Sequence, residues 1–345
     1  MTETKSRATI LAGDALTELA TIASCSVDAI VTDPPYEYGF TGADRLDWDS
    51  TGIAFSIELW AEALRVLKPG GNLAAFGHAR TYHRLAVAVE DAGFELRDSI
   101  TAWLYGQGMA KGRNVSRDLR RAHPHLTDSA EGWHSNLRPA YEPIVLARKP
   151  LSGTVADNWA KYGVGALNID RTRIPTEESR SRTPGDHDAA TWKIQRGKQK
   201  NESHAAGRWT PNVLLCHRPE CDEQRCTNEC AVAQVKEEGL ATRGRGEDAT
   251  RFFPTFKYQP KAPASERPEV DGVKHPTVKP LGLMRWLIQL TTPAGGTVLD
   301  PFAGSGATIE AAIELGHPVI AMERDTRYVA LIEQRIRRTV TDGAH

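Results

Sequence analysis

The chain has 345 residues, 40% hydrophobic and 25% charged, which is ordinary for a soluble globular protein and enough for one large α/β core with a smaller inserted unit. No apolar run approaches the roughly 18 residues needed to span a bilayer, and residues 1–7 lack the apolar stretch of a secretory signal, so a membrane partner is excluded and a cytoplasmic location expected. The formal net charge of −1 hides a split: residues 107–261 hold 26 Lys+Arg against 19 Asp+Glu, whereas the remainder holds 17 against 25. A basic middle on an acidic scaffold suits contact with phosphates, although a solvated Arg/Lys-rich insertion has the same composition.

In chain order, residues 9–12 read as a strand, 15–22 as a helix and 28–32 as a second strand. That strand ends at Asp33-Pro34-Pro35-Tyr36, where two prolines forbid further ladder pairing. Ile53, Ile57, Trp60, Leu64 and Leu67 recur at helical spacing, residues 68–71 stop that helix, and 73–76 form an apolar strand. Residues 85–92 continue as a helix ended by Gly93, and 94–105 have strand-like content. From 107 to 268 the rhythm breaks, except for an apolar run at 144–147 that reads as a returning strand; 176–204 is polar enough for a mobile loop. Order resumes with a helix over 281–290, a strand at 297–299, a helix after Gly306, a strand at 318–322 and a helix over 328–336. Alternating strands and helices predict a mostly parallel sheet covered on both faces.

Two segments carry chemistry. Residues 298–306, Val-Leu-Asp-Pro-Phe-Ala-Gly-Ser-Gly, place a glycine-rich turn between a strand and a helix, and Glu323 ends the next strand about 20 residues on. The turn alone is equally a tight strand-to-helix connection. With Glu323 placed to hold a ribose diol, it becomes a nucleoside signature. No Lys-Ser/Thr pair accompanies it, which favours a nucleoside without a phosphate tail, such as S-adenosylmethionine, whose sulfonium would be drawn to Phe302 and Asp300. The second segment, Asp33 to Tyr36, reads alone as a plain turn. Beside a nucleoside site it gains a purpose: an aromatic amino group is barely nucleophilic, and Asp33 together with a carbonyl kept free by Pro35 could accept its two hydrogens while Tyr36 stacks on the base.

In their order (Asp33 to Tyr36, then His275-Pro276-Thr277-Val278-Lys279-Pro280, then Asp300 to Gly306) these motifs resemble the β-group DNA amino-methyltransferases that act on adenine N6 or cytosine N4. The resemblance covers residues 8–105 and 273–338. It implies a Rossmann-like, seven-stranded methyltransferase sheet, circularly ordered with a catalytic half (8–106) before a cofactor half (269–340), and a basic inserted target-recognition region at 107–268. It further implies catalytic roles for Asp33, Pro34, Pro35 and Tyr36, cofactor contacts from Asp300, Phe302, Gly304, Gly306 and Glu323, contact of Asp14 with the cofactor adenine, and of Thr277 and Lys279 with its methionine end. Asp rather than Ser at the head of the tetrapeptide favours adenine. Duplex DNA is the implied partner, and a homodimer and a cognate restriction nuclease are compatible with the family. RNA-base and protein-amide methyltransferases use related tetrapeptides, but the position ahead of the cofactor loop argues against them; an inactive nucleic-acid-binding module is opposed by the intact Asp33 and glycines. Residues 138–143, leading into the run at 144–147, either line the base pocket or simply enter a strand.

Four of the five cysteines fall between Cys216 and Cys230, with His217 beside the first. In a cytosolic protein such clustering reads as structural zinc more readily than as disulfides, although free cysteines in a polar loop remain an alternative. The expected ligands are His217, Cys221, Cys226 and Cys230, with Cys216 as an alternative fourth; Cys25 reads as a small buried apolar residue.

Overall fold

The computed structural model describes residues 8–37, 47–97, 100–105, 112–176, 204–218, 221, 226–227, 230–242, 249–257 and 267–342. Apart from its two end residues, the polar stretch 176–204 lies outside them. The strands are β1 (Ala8–Ala12), β2 (Val27–Thr32), β3 (Leu67–Phe76), β4 (Glu95–Leu96), β5 (Thr101–Leu104), β6 (Tyr141–Arg148), β7 (Val213–His217), β8 (Thr255–Lys257), β9 (Val298–Asp300) and β10 (Val319–Glu323). The helices are α1 (Ala15–Leu19), α2 (Ile57–Val66), α3 (Tyr82–Asp91), α4 (Val115–Ala122), α5 (Val155–Tyr162), α6 (Ile169–Thr172), α7 (Ala231–Thr242), α8 (Leu281–Thr291), α9 (Ala307–Glu314) and α10 (Thr326–Asp342). No helix among the described residues is long and apolar enough to cross a membrane.

All ten strands join one sheet in the order β1-β10-β9-β2-β3-β6-β5-β7-β8, with β4 paired to β6. The β1–β10, β10–β9, β9–β2 and β2–β3 pairs are parallel, β6 runs antiparallel to both β3 and β5, and β7 and β8 extend the sheet in parallel. The fold is thus Rossmann-like and mostly parallel as expected, but wider than seven strands. The extra width comes largely from β7 and β8, which lie in the stretch where the sequence shows no strand rhythm.

Alternation along the strands divides the core between the two faces. Val31, Ala74, Phe76, Ile144 and Leu146 pack with α8 and α9, whereas Ile30, Leu73, Ala75, Val145 and Ala147 pack with α2 and α3. Continuous burial of both faces explains why β2 is buried at all six positions, as central parallel strands require. Ser56 caps α2 by accepting from the Leu59 amide at 3.2 Å, and Leu59, Trp60, Ala63 and Val66 form its buried stripe. The expected break after this helix is absorbed into a strand: β3 starts at Leu67 and runs through Pro69 and Gly70, the latter at φ +80°. Cys25 is exposed, contrary to expectation, because it sits at φ +56° in the turn before β2.

Candidate active site

β2 and β9 are parallel neighbours, with Ala29 opposite Val298 and Ile30 opposite Leu299. The segments that follow them therefore leave the sheet side by side, at the carboxyl edge where open α/β sheets hold ligands. A cleft of about 1960 Å³ opens there, lined on one side by Asp33 to Tyr36 and on the other by Asp300 to Ser305 and Glu323.

The glycine turn is fastened from several directions. Asp300 is 1% exposed and accepts hydrogen bonds from Thr32 Oγ1 at 2.7 Å and the Phe302 amide at 3.1 Å. Burial pushes its pKa up to about 6, and its hydrogen bonds fasten the turn from beneath. Glu323 accepts from the Gly304 amide at 2.9 Å through Oε2 and from the Asp325 amide at 2.7 Å through Oε1, tying the end of β10 to the turn; burial raises its pKa to about 6. Gly304 has φ +53°, and a Cβ there would sit 3.0 Å from His275 Nε2, so close approach as well as conformation requires glycine. Gly306, at φ +84°, opens α9. Phe302 is half-buried and lines the cleft. Asp14, across the β1–β10 edge, caps α1 through Oδ1, which accepts from the Leu16 amide at 3.0 Å, and also lines the cleft.

The opposite wall is a network of charged side chains. Lys279 Nζ donates to Asp33 Oδ2 at 2.5 Å and to the Tyr36 hydroxyl at 2.9 Å, and lies 3.4 Å from Glu142 Oε2. It also stands 4.8 Å from the Phe76 ring centroid and 5.1 Å from that of Tyr36. Burial opposes its charge, but the Asp33 and Glu142 carboxylates outweigh burial and hold its pKa above the ordinary lysine value. The Tyr36 hydroxyl donates to Glu142 Oε2 at 2.8 Å; burial, then the charges of Asp33 and Glu142, keep the phenol well above its usual pKa. Asp49 accepts from the amides of Tyr36 and Glu37 at 2.9 and 3.0 Å and stabilises Glu37 at φ +52°, while Thr81 donates to the Tyr36 carbonyl at 2.8 Å. Asp33 Oδ1, in contrast, is buried without a hydrogen-bond partner among the described residues. An acceptor left open inside a cleft is costly unless a ligand supplies the donor.

Most of the residues singled out in the sequence converge on this cleft. Thr277 lies exposed on its rim, its carbonyl hydrogen-bonded to His275 Nδ1. Lys279, which the resemblance assigns to the methionine end of the cofactor, bonds within the protein to the tetrapeptide wall. Glu142, within residues 138–143, is placed in the pocket by β6, and its signal in sequence is a lone acid at the head of an apolar strand. Arg335 and Glu310 escape sequence reasoning altogether. Arg335 is 1% exposed, donates to the Ser305 carbonyl at 2.9 Å and ion-pairs with Glu310, pinning the glycine turn from below. His217, Cys221, Cys226 and Cys230 come together away from the cleft, whereas Cys216 joins the main core.

An unpartnered carboxylate oxygen thus stands one strand away from a glycine turn closed by a strand-end acid, an arrangement that suits transfer to an exocyclic nitrogen. Residues 27–334 match the N6/N4 model described as DNA methylase, and the chain belongs to that family. It is 26% identical to the Type II methyltransferase M.HindIII of Haemophilus influenzae, over 90% of this chain and 89% of that protein. It is 23% identical to the Type II methyltransferase M.HpaI of Haemophilus parainfluenzae, over 95% and 73% of the two chains. Among solved structures it resembles the PvuII DNA methyltransferase, described as cytosine-N4-specific, with a TM-score of 0.48 and 13% identity over 97% of this chain and 90% of that one.

Proposed function

We propose that the protein methylates adenine N6 within a specific sequence of duplex DNA, with S-adenosylmethionine as the cofactor. The observation that carries this reading is the buried, unpartnered Oδ1 of Asp33, a residue that lines the same cleft as the glycine turn. The residues fit the cofactor: Glu323 is an acid fixed at the end of β10, Gly304 and Gly306 hold the turn at positive φ, and Asp14 and Phe302 line the same end. When bound, S-adenosylmethionine would supply an electrophilic methyl group on a sulfonium.

The chain's own task is to present the nitrogen. Asp33 Oδ1 accepts one amino hydrogen and the Pro34 carbonyl, followed by a proline that offers no competing amide, accepts the other; together they localise the nitrogen lone pair. Lys279 fixes Oδ2 of Asp33, leaving Oδ1 for the base. Tyr36, held through its hydroxyl and its backbone, offers a face to an extruded base. DNA is met by the 107–268 region. Exposed Arg113, Arg117, Arg120 and Arg121 on and before α4 are fastened to the cleft rim, where the Ser135 amide donates to the Arg113 carbonyl at 3.0 Å. Asp at the head of the tetrapeptide supports adenine.

The test is incubation with tritiated S-adenosylmethionine and unmethylated mixed-sequence duplex DNA, then nucleoside chromatography. Label in N6-methyl-2′-deoxyadenosine is expected. Label in N4-methyl-2′-deoxycytidine overturns the base assignment but keeps the mechanism, and unlabelled DNA overturns the function.

A further inference from the structure

The cysteine cluster is not used by the reaction. β7 ends at His217 and α7 begins immediately after Cys230, so two ligands sit at fixed ends of regular elements while Cys221 and Cys226 come from the connection between them. His217 Nδ1 lies 3.4 Å from Cys226 Sγ and 3.6 Å from Cys230 Sγ, and the ligand atoms of His217, Cys221, Cys226 and Cys230 all lie within 4.8 Å of one another. A tetrahedral zinc with Zn–S of about 2.3 Å and Zn–N of about 2.0 Å requires nitrogen–sulfur separations of about 3.5 Å and sulfur–sulfur separations of about 3.8 Å. Strand alternation settles which neighbour takes part. Leu214 and Cys216 point into the main core, while Val213 and Leu215 face the cluster, and His217 is in phase with them.

We propose that His217, Cys221, Cys226 and Cys230 bind one structural zinc ion that clamps the end of β7 to the start of α7. A second observation supports it. Among the described residues, the buried apolar cluster on this side is Leu215, Cys221, Cys230 and Val232, with Leu104, Val213, Cys226, Ala233 and Phe253 packed against it, so three ligands, Cys221, Cys226 and Cys230, belong to this packed group. A metal at these ligands would join the connection after β7 to the start of α7. Four protein ligands close the coordination shell, which excludes a catalytic role for the ion. The clamp lies two strands from the base pocket. Leu214 of β7 pairs with Trp103 of β5, and Trp103 pairs with Glu142 of β6, so the ion braces the sheet edge behind Glu142.

Elemental analysis of the full-length protein, purified without chelator, is expected to give one zinc per chain. Cys226→Ala and His217→Ala should lower zinc to near zero, whereas Cys216→Ser and Cys25→Ser should keep it. If the ligand variants fail to accumulate, cobalt(II) replacement in the wild-type protein gives the same answer through thiolate-to-metal charge transfer and a tetrahedral d–d band. Removing the metal should raise amide exchange in β7 and α7 and leave β9 and β10 protected. Metal-free protein with unchanged protection, iron in place of zinc, or a disulfide among the three cysteines overturns the proposal.

Discussion

The two walls of the cleft are held by different kinds of bond. On the cofactor side, backbone amides of Gly304, Asp325 and Phe302 donate to the fixed carboxylates of Glu323 and Asp300, and the geometry belongs to the main chain. On the base side, Lys279, Asp33, Tyr36 and Glu142 hold one another through side chains drawn from three distant parts of the sequence. A main-chain cradle suits a ligand of constant shape. A side-chain network leaves Oδ1 of Asp33 open and can yield when a base replaces one of its contacts, so damage to one wall should separate cleanly from damage to the other.

The largest separation is expected for Asp33→Ala. Losing the acceptor for the reacting amino group should lower turnover by about 10²- to 10³-fold, while S-adenosylmethionine affinity changes by less than about twofold. Calorimetric titration beside single-turnover assays reads both, and a parallel loss of cofactor binding would show that the walls are not independent. Next comes Arg335→Met, which leaves Glu310 with the partly exposed Arg338, at 3.1 Å, as its ion-pair partner and takes the donor from the Ser305 carbonyl beneath the glycine turn. With Arg338 still on Glu310, the loss of Arg335 is expected to cost about 1.5–3 kcal/mol in denaturant unfolding. Unfolding at the wild-type denaturant midpoint would refute a supporting role.

Lys279→Met sharpens the comparison, because the resemblance assigns Lys279 to the methionine end of the cofactor whereas its bonds run to Asp33 and Tyr36. Turnover should fall about tenfold or more, equivalent to about 1.4 kcal/mol, with a smaller effect on cofactor Kd. The reverse pattern would return Lys279 to the cofactor side.

The difference between the walls also decides what could be read from the sequence. Asp33 to Tyr36, Asp300 to Gly306 and Glu323 are legible because prolines, glycines and a strand-end acid act on their own backbone, within a few residues. Lys279 meets Asp33 across 246 positions, and Arg335 meets Glu310 across 25, pairings that only the assembled sheet and helices create. β7 was hidden for another reason: its five residues lie inside a Pro-, Arg- and Cys-rich stretch that obscures one short apolar run. Recognising Val213 to His217 as a strand would itself have chosen His217 over Cys216, by alternation alone.

The smallest effects concern pH. Glu323 and Asp300 both have pKa values raised to about 6 by burial, from ordinary values of 4.5 and 3.8. A carboxyl whose folded pKa is raised favours the folded state when protonated. Each therefore contributes stability that is complete below its unfolded value and is lost as pH rises to about 6, on the order of 2–3 kcal/mol apiece. Cofactor affinity should run the opposite way, since a protonated Glu323 is a weaker acceptor for ribose hydroxyls; binding should weaken as pH falls through about 6. Glu323→Gln is expected to raise Kd about tenfold at neutral pH, the loss of a charge-assisted hydrogen bond of about 1.5 kcal/mol, and to flatten most of the pH dependence. Binding isotherms between pH 5 and 8 for the two proteins decide the point. Parallel curves would move the titrating group away from Glu323, whereas convergence at low pH would fix it on the main-chain wall and leave the side-chain wall unaffected by the same change.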